Sequence, residues 1–299
     1  MSKNASFAEE LFNMLSSLQN RSRLPQWMKM KLPSGEDYSR VRNIVERYKL
    51  HTICTSGNCP NIGECWGRGT ATLMILGDIC TRSCKFCGVK TGRPEAVDWN
   101  EPSRVAQSLQ TMKLKHCVLT SVDRDDLADG GAELWLHTIK EIKHTCPEMT
   151  IEALIPDFGG IEENILLVIN SGAEVISHNL ETVKRLTPLI RSVANYEKSL
   201  AVLKQIATSG IIAKTGIMLG LGELESEIFE TMDDALEAGY SVFTLGQYLA
   251  PSRNHFPVQK YVEPSAFEKY RQAGLAKGFR FIESSPLVRS SYRAEKHVF

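Results

Sequence analysis

Six of the eight cysteines in this 299-residue chain stand between positions 54 and 87: Cys54, Cys59, Cys65, Cys80, Cys84 and Cys87. Even scatter would leave about one in a window of that width. The chain is long enough to bury a core without covalent staples. Its first residues, Met1-Ser-Lys-Asn-Ala, lack the basic-then-apolar pattern of a secretory leader. A cytoplasmic setting, with thiols kept reduced, is therefore expected, and metal is a better use for the cysteines than disulfides. Structural zinc usually takes four ligands, often as two C-x2-C pairs. Here the spacing gives two triplets, Cys54-x4-Cys59-x5-Cys65 and Cys80-x3-Cys84-x2-Cys87. Three thiolates on a cube-shaped [4Fe–4S] cluster leave one iron open to substrate or to another ligand. The triplets favour iron–sulfur over zinc, with zinc as the alternative. Cys117, in an apolar run, reads as a buried core thiol, and Cys146, near a helix end, shows no role.

Composition narrows the classes. Apolar residues at 42% and charged residues at 23% exclude a disordered or fibrous chain. Thirty-five basic residues balance 35 acidic ones; with no net positive charge and no aromatic–basic stripe, nucleic acid is not an expected partner. No run approaches the roughly 18 apolar residues of a membrane span. The N-terminal stretch carries an amphipathic helical pattern at Phe7, Leu11, Phe12, Met14, Leu15 and Leu18. Arg21, Arg23, Lys29, Lys31, Arg40, Arg42, Arg47 and Lys49 then outnumber Glu36, Asp37 and Glu46, which gives either a solvated face or a docking surface for an acidic partner.

After Gly69 apolar strand-like runs alternate with helical segments. Strands are expected near 71–77, 116–121, 149–155, 174–178, 211–219 and 241–248, and helices near 102–114, 131–146, 161–171, 195–209, 224–238 and 264–277. Gly172, Gly210 and Gly239 sit where helices should stop. Six β/α units in series imply a parallel sheet with right-handed crossovers. A full barrel needs eight, so the fold class expected is α/β, a partial (β/α)6 TIM-type barrel with N- and C-terminal extensions. An open doubly wound sheet is the alternative. The expected boundaries are 1–69 for the extension with the Cys54 triplet, 70–262 for the barrel and 263–299 for the C-terminal extension. The Cys80 triplet directly follows the first barrel strand, on the face where parallel α/β folds place their sites.

C-x3-C-x2-C in that position resembles the radical S-adenosylmethionine (SAM) superfamily. The segment Cys54-Thr-Ser-Gly-Asn-Cys-Pro-Asn-Ile-Gly-Glu-Cys-Trp66 is similar to the auxiliary-cluster motif of the lipoyl synthase family. So are Thr120-Ser-Val-Asp-Arg-Asp-Asp-Leu-Ala-Asp-Gly-Gly131 and Pro286-Leu-Val-Arg-Ser-Ser-Tyr292. The match runs from about Leu24 to Arg293. It departs from many relatives at Thr55-Ser56-Gly57, where those carry acidic residues between the ligands.

The resemblance implies two [4Fe–4S] clusters and SAM. Cys80, Cys84 and Cys87 would hold the catalytic cluster, whose open iron binds SAM. Cys54, Cys59 and Cys65 would hold an auxiliary cluster with a serine of the Arg289-Ser-Ser-Tyr292 element, Ser291 being preferred over Ser290. A serine oxygen is harder than thiolate and suits such a cluster less well, which fits a cluster consumed as the sulfur source. Phe86 is a candidate for adenine contact or for core packing. Gly130 and Gly131 would let backbone approach the methionine moiety or would simply turn the chain into a helix. His178 and Asn179, ending the fourth strand, are candidate ribose contacts, though a strand-end His is more often structural. Gly216-Ile-Met-Leu-Gly-Leu-Gly-Glu223 resembles the superfamily's adenine-side motif. The implied reaction is radical insertion of sulfur at C6 and C8 of an octanoyl chain on a carrier lysine, a sulfurtransferase activity. Implied partners are the glycine cleavage H protein or the E2 lipoyl domains of 2-oxoacid dehydrogenases, together with ferredoxin or flavodoxin as electron donor. Rival expectations are another sulfur-inserting or methylthiolating radical enzyme and, outside enzymes, a zinc-stabilised binding module.

Overall fold

A computed structural model describes residues 24–29, 34–68 and 71–298; the amphipathic pattern at 7–18 and Arg21, Arg23 and Lys31 lie outside them. In chain order the elements are α1 (Glu36–Arg47), β1 (His51–Thr52), α2 (Ile53–Ser56), α3 (Ile62–Gly67), β2 (Thr72–Ile75), β3 (Ile79–Cys80), β4 (Lys90–Thr91), α4 (Glu101–Met112), β5 (His116–Ser121), α5 (Ala132–Thr145), β6 (Thr150–Leu154), α6 (Glu162–Ile169), β7 (Val175–Ser177), α7 (Thr187–Ile190), α8 (Tyr196–Thr208), β8 (Ile212–Leu219), α9 (Glu225–Glu237), β9 (Val242–Gln247), α10 (Pro264–Lys277) and β10 (Phe281–Ser284). The main sheet has the order β1-β2-β5-β6-β7-β8-β9-β10. Every pairing from β2 to β10 is parallel, and β1 pairs antiparallel with β2 through His51↔Met74 and Thr52↔Leu73.

All six expected strands and the six helices after them form where the alternation places them. Helices on a parallel sheet leave its strands as buried apolar runs; β2, for example, is buried at every residue, Thr72 to Ile75. The sheet continues into β10, whose Phe281–Ser284 pairs with Val242–Leu245 of β9. Periodicity misses β1 and β10, which are two and four residues long. The sheet is open, with β1 and β10 at its edges.

Two packing units flank the mouth, the cavity at the carboxyl ends of the strands. Helix α1 buries Val41, Ile44 and Val45 on one face, the i, i+3, i+4 spacing of an amphipathic helix. That face joins Trp66, Cys54, Ala71 and Met112 in a small core of its own. The solvent face of α1 is charge-balanced: Arg40 pairs with Asp37 at 3.0 Å and Arg42 with Glu46 at 2.8 Å. The basic excess seen in the sequence therefore does not come from this helix.

The second unit is a strap, residues 285–297, that turns inward after β10. Ser285 N donates to Leu245 O and Gln247 N to Pro286 O. A Cβ on Gly246 would stand 2.0 Å from the Val288 carbonyl oxygen, so only glycine lets the strap lie against β9. Further on, the Asn61 side chain donates to Leu287 O at 2.7 Å, and the Tyr292 hydroxyl donates to Glu64 Oε1 at 3.1 Å. The strap thus ties β9 to the α2–α3 segment across the mouth, and it ends with the His297 ring fully buried.

Candidate functional site

The loop from Cys80 to Thr91 is closed on itself. β3 and β4 pair at its ends, and Gly92 N donates to Cys80 O at 3.0 Å. Within it, Arg82 N and Asp123 N donate to Cys80 Sγ at 3.4 and 3.3 Å. Arg82 is buried and forms ion pairs with Asp123 at 3.1 Å, Asp125 at 2.6 Å and Asp157 at 2.7 Å. One side chain of the cysteine loop therefore clamps the loop to the carboxyl ends of β5 and β6. Lys85 N donates to Ile190 O, and Phe256 N donates to Lys85 O. His255 Nε2 lies 3.0 Å from Cys87 O. Because a carbonyl only accepts, this nitrogen carries the proton, and Nδ1 accepts from the Ser252 hydroxyl at 2.8 Å.

The second triplet is built differently. Thr52 caps α2 through its side-chain oxygen, which accepts from Thr55 N, and so orients Cys54 one residue into that helix. Cys59 N donates to Cys54 O, and Cys65 lies in α3. The Thr72 hydroxyl, which lies against the Cys54 sulfur, donates to Ser291 Oγ at 2.8 Å. Ser290 faces the other way, accepting from Asn179 Nδ2 at 2.6 Å. The two serines of the strap thus address different partners, Ser291 toward the Cys54 triplet and Ser290 toward the end of β7.

One cavity of about 990 Å³ takes in both arrangements. Cys54, Cys59, Cys80, Cys84 and Cys87 line it, as do Phe86, His178, Asn179, Ser290 and Ser291. Cys65 is not in the lining, but its thiol is close enough to those of Cys54 and Cys59 to interact with them. Gly130, Gly131 and Glu223 are not in the lining. Asp129 accepts from Gly131 N and Glu133 N, so the glycines serve the entry into α5. Glu223 accepts from Gly220 N at 2.6 Å and Leu221 N at 2.9 Å and so shapes the loop after β8. His178 is buried, with Nδ1 against Ile155 O at 3.0 Å and Nε2 against Ser199 Oγ at 3.1 Å. Burial, then the Arg191 charge, hold it down at about 4, and it stays neutral at physiological pH. Cys117 is a buried core thiol, as expected, and Cys146 follows α5 with no contact to the cavity.

Several cavity residues escape the sequence reading. Two acidic partners of Arg82, Asp123 and Asp125, lie in a run that looks like a solvated turn, and the third, Asp157, comes from the loop after β6. Glu181, half-buried and with φ of 67°, and Arg191, buried, line the cavity after β7. A charged residue just past the end of β7 is the signal for Glu181; Arg191 directly follows α7 and gives none. Arg289 also faces in, with Nη1 donating to Val288 O at 2.7 Å.

The donor set fits iron–sulfur clusters. All eight cysteines are free thiols. Burial, with a neighbouring thiol of the same triplet, pushes Cys54 up to about 11 and Cys65 to about 12. Burial, with the Asp123 carboxylate, does the same to Cys80, to about 11, and burial lifts Cys87 to about 12. Clustered soft donors that hold their protons until metal displaces them are the expected state of a thiolate site before loading. Two buried polar atoms of the same cavity, Asn179 Oδ1 and Arg191 Nε, have no protein partner, which suits a polar ligand beside the Cys80 triplet.

Comparison with known proteins agrees. A family model described as the radical SAM superfamily matches residues 74–235, and one described as the N-terminal domain of lipoyl synthase matches residues 2–59. The chain is 57% identical to lipoyl synthase of Christiangramia forsetii, over 95% of this chain and 97% of that one. It is 56% identical to the mitochondrial lipoyl synthase of Nematostella vectensis, over 92% of this chain and 94% of that one. Among solved structures, methylornithine synthase (PylB) superposes with a TM-score of 0.54 at 13% identity, covering 95% of this chain and 84% of that one. HydG, a maturase of the [FeFe]-hydrogenase, does so at 0.53 and 15% identity, covering 99% of this chain and 71% of that one; at such identity these likenesses speak for the fold alone. No helix of the described residues is long and apolar enough to cross a membrane. With both family models matched and relatives this similar along almost its full length, the chain belongs to the lipoyl synthase family of the radical SAM superfamily.

Proposed function

We propose that the protein is a lipoyl synthase, which inserts sulfur at C6 and C8 of an octanoyl chain amide-linked to a carrier-protein lysine. The observation that carries this reading is the single cavity shared by both cysteine triplets, with Ser291 held beside the Cys54 triplet by Thr72. When bound, a catalytic [4Fe–4S] cluster with SAM supplies a hydrogen-abstracting 5′-deoxyadenosyl radical, and an auxiliary [4Fe–4S] cluster supplies sulfur.

Cys80, Cys84 and Cys87 hold the catalytic cluster; Cys54, Cys59, Cys65 and Ser291 hold the auxiliary one. The hydrogen bonds of Ser291 and Ser290 favour Ser291 as the fourth ligand. Phe86 and Asn179 stand where they can bound the SAM pocket, while His178, Gly130, Gly131 and Glu223 act one step back by fixing the loops that shape it. Segments 1–69 and 263–299 are the N- and C-terminal extensions of a barrel of 70–262. The apolar wall of Ile53, Val89, Val122, Ala250 and Val258 suits an eight-carbon chain and excludes water from the reacting carbons. The carriers are H protein or E2 lipoyl domains, the electron donor is a ferredoxin or flavodoxin, and the setting is the cytoplasm.

The test is iron and acid-labile sulfide on anaerobically purified protein, followed by turnover of an octanoyl-lysine peptide with SAM and dithionite. About eight irons per chain and a product heavier by two sulfurs are expected. Stoichiometric zinc without SAM cleavage would overturn the proposal.

A further inference from the structure

The two triplets come from separate parts of the fold, yet one point joins them. Gly88, directly after Cys87, packs against the carbonyl of Ser56, the last residue of α2. A Cβ on Gly88 would stand 3.0 Å from Ser56 O and 3.2 Å from Pro251 Cβ. Both contacts are tighter than side chains normally tolerate, and neither neighbour is a flexible tip: one is backbone, the other a proline ring. The loop has little room to give, because His255 Nε2 donates to Cys87 O and Phe256 N donates to Lys85 O. Ser56 cannot move alone either, since it belongs to the short helix that carries Cys54, whose carbonyl accepts from Cys59 N. Gly88 does not adopt the left-handed backbone, so the demand for glycine here is one of space and not of conformation.

We infer that Gly88 is a positioning residue that sets the separation between the two cluster sites, through its backbone contact with Ser56. This rests on the function proposed above, in which one substrate carbon must reach the radical and then the sulfur. Such a relay tolerates little error, because misplacing a reacting group by about 1 Å can cost about 100-fold. A methyl group at position 88 pushes the loops apart by a few tenths of an ångström and leaves every ligand in place.

The experiment compares Gly88→Ala with Gly92→Ala in the same loop, where the added Cβ meets only Ile79 Cγ2 at 3.4 Å. Three quantities are read on anaerobic holoprotein: iron per chain, the magnetic interaction between the two reduced clusters by electron paramagnetic resonance, and lipoyl product per 5′-deoxyadenosine. The expected result for Gly88→Ala is full iron, a weakened interaction and a product ratio lower by about threefold or more, with Gly92→Ala like wild type. A wild-type interaction and ratio in Gly88→Ala would overturn the assignment. So would loss of iron in that variant, which would make Gly88 a residue of cluster assembly rather than spacing. If the wild type itself made no lipoyl product, the failure would lie with the proposed function and not with Gly88.

Discussion

The two cysteine triplets contrast in how the chain assembles them. The Cys80 triplet occupies one loop of one β/α unit, closed by a strand pair at its base and clamped by Arg82. The Cys54 triplet sits on two short helices outside the barrel, backed by a small core and completed by a strap from the other end of the chain. The first arrangement is local; the second exists only once distant segments meet. A cluster that survives every turnover gains from a rigid local cradle. A cluster that gives up sulfur gains from a cradle that can be opened and refilled.

The sharpest way to break this contrast is to delete each triplet in turn. Replacing Cys80, Cys84 and Cys87 by alanine should abolish SAM cleavage and lower iron from about eight to about four per chain. Replacing Cys54, Cys59 and Cys65 should lower iron equally but leave 5′-deoxyadenosine formation in place without lipoyl product. Identical phenotypes from the two variants would dissolve the distinction.

Next in size is the serine pair. Ser291→Ala should cut lipoyl product by about 100-fold, as expected when a reacting centre loses its positioning group, while SAM cleavage continues. Ser290→Ala, which loses only its bond to Asn179, should cost less. Product assays of the two side by side decide it, and a larger loss in Ser290→Ala would reverse the ligand assignment.

Arg82→Gln tests the local cradle. It strands the buried Asp157 and the half-buried Asp123 without their cation, and breaking a buried pair such as that with Asp157 costs about 3–5 kcal/mol. Chemical denaturation should show that loss, whereas Arg68→Gln on the exposed pair with Glu295 should change stability by about 1 kcal/mol or less.

The smallest effect expected is on acid stability. Buried His178 and His297 have their pKa values lowered by burial, to about 4 and about 3. Folded, both stay neutral where the unfolded chain, with His near 6.5, takes up two protons. Stability therefore falls as pH drops from about 6.5 toward 4, by roughly 3 kcal/mol between pH 6.5 and 5. Asp157 follows at lower pH. Burial pulls it up, but the Arg82 hydrogen bond and charge outweigh this and hold it at about 2. Its contribution is present above the ordinary Asp value and is lost as pH falls toward 2. Denaturation midpoints at pH 7, 5 and 3 check both windows.

Sequence made the local triplet legible down to its residues, because spacing, strand and loop are all short-range. It also revealed the six β/α units, since apolar runs that alternate with helical ones leave a strong period. The strap was not legible as structure. Only the family resemblance set Ser291 beside the Cys54 triplet; spacing and composition of Pro286 to Tyr292 did not, and Gly246, whose missing side chain admits Val288, looks like any strand glycine. The Arg82 clamp was hidden for a related reason: its carboxylates are spread over two β/α loops and meet only in the folded sheet.

The strap also imposes an order of events. A chain emerges from the ribosome N-terminal end first, so residues 285–297 follow every strand they span, and Ser291 reaches Thr72 only after β2, β7 and β9 have been made. The Cys54, Cys59 and Cys65 thiols wait throughout that interval beside an unsealed mouth.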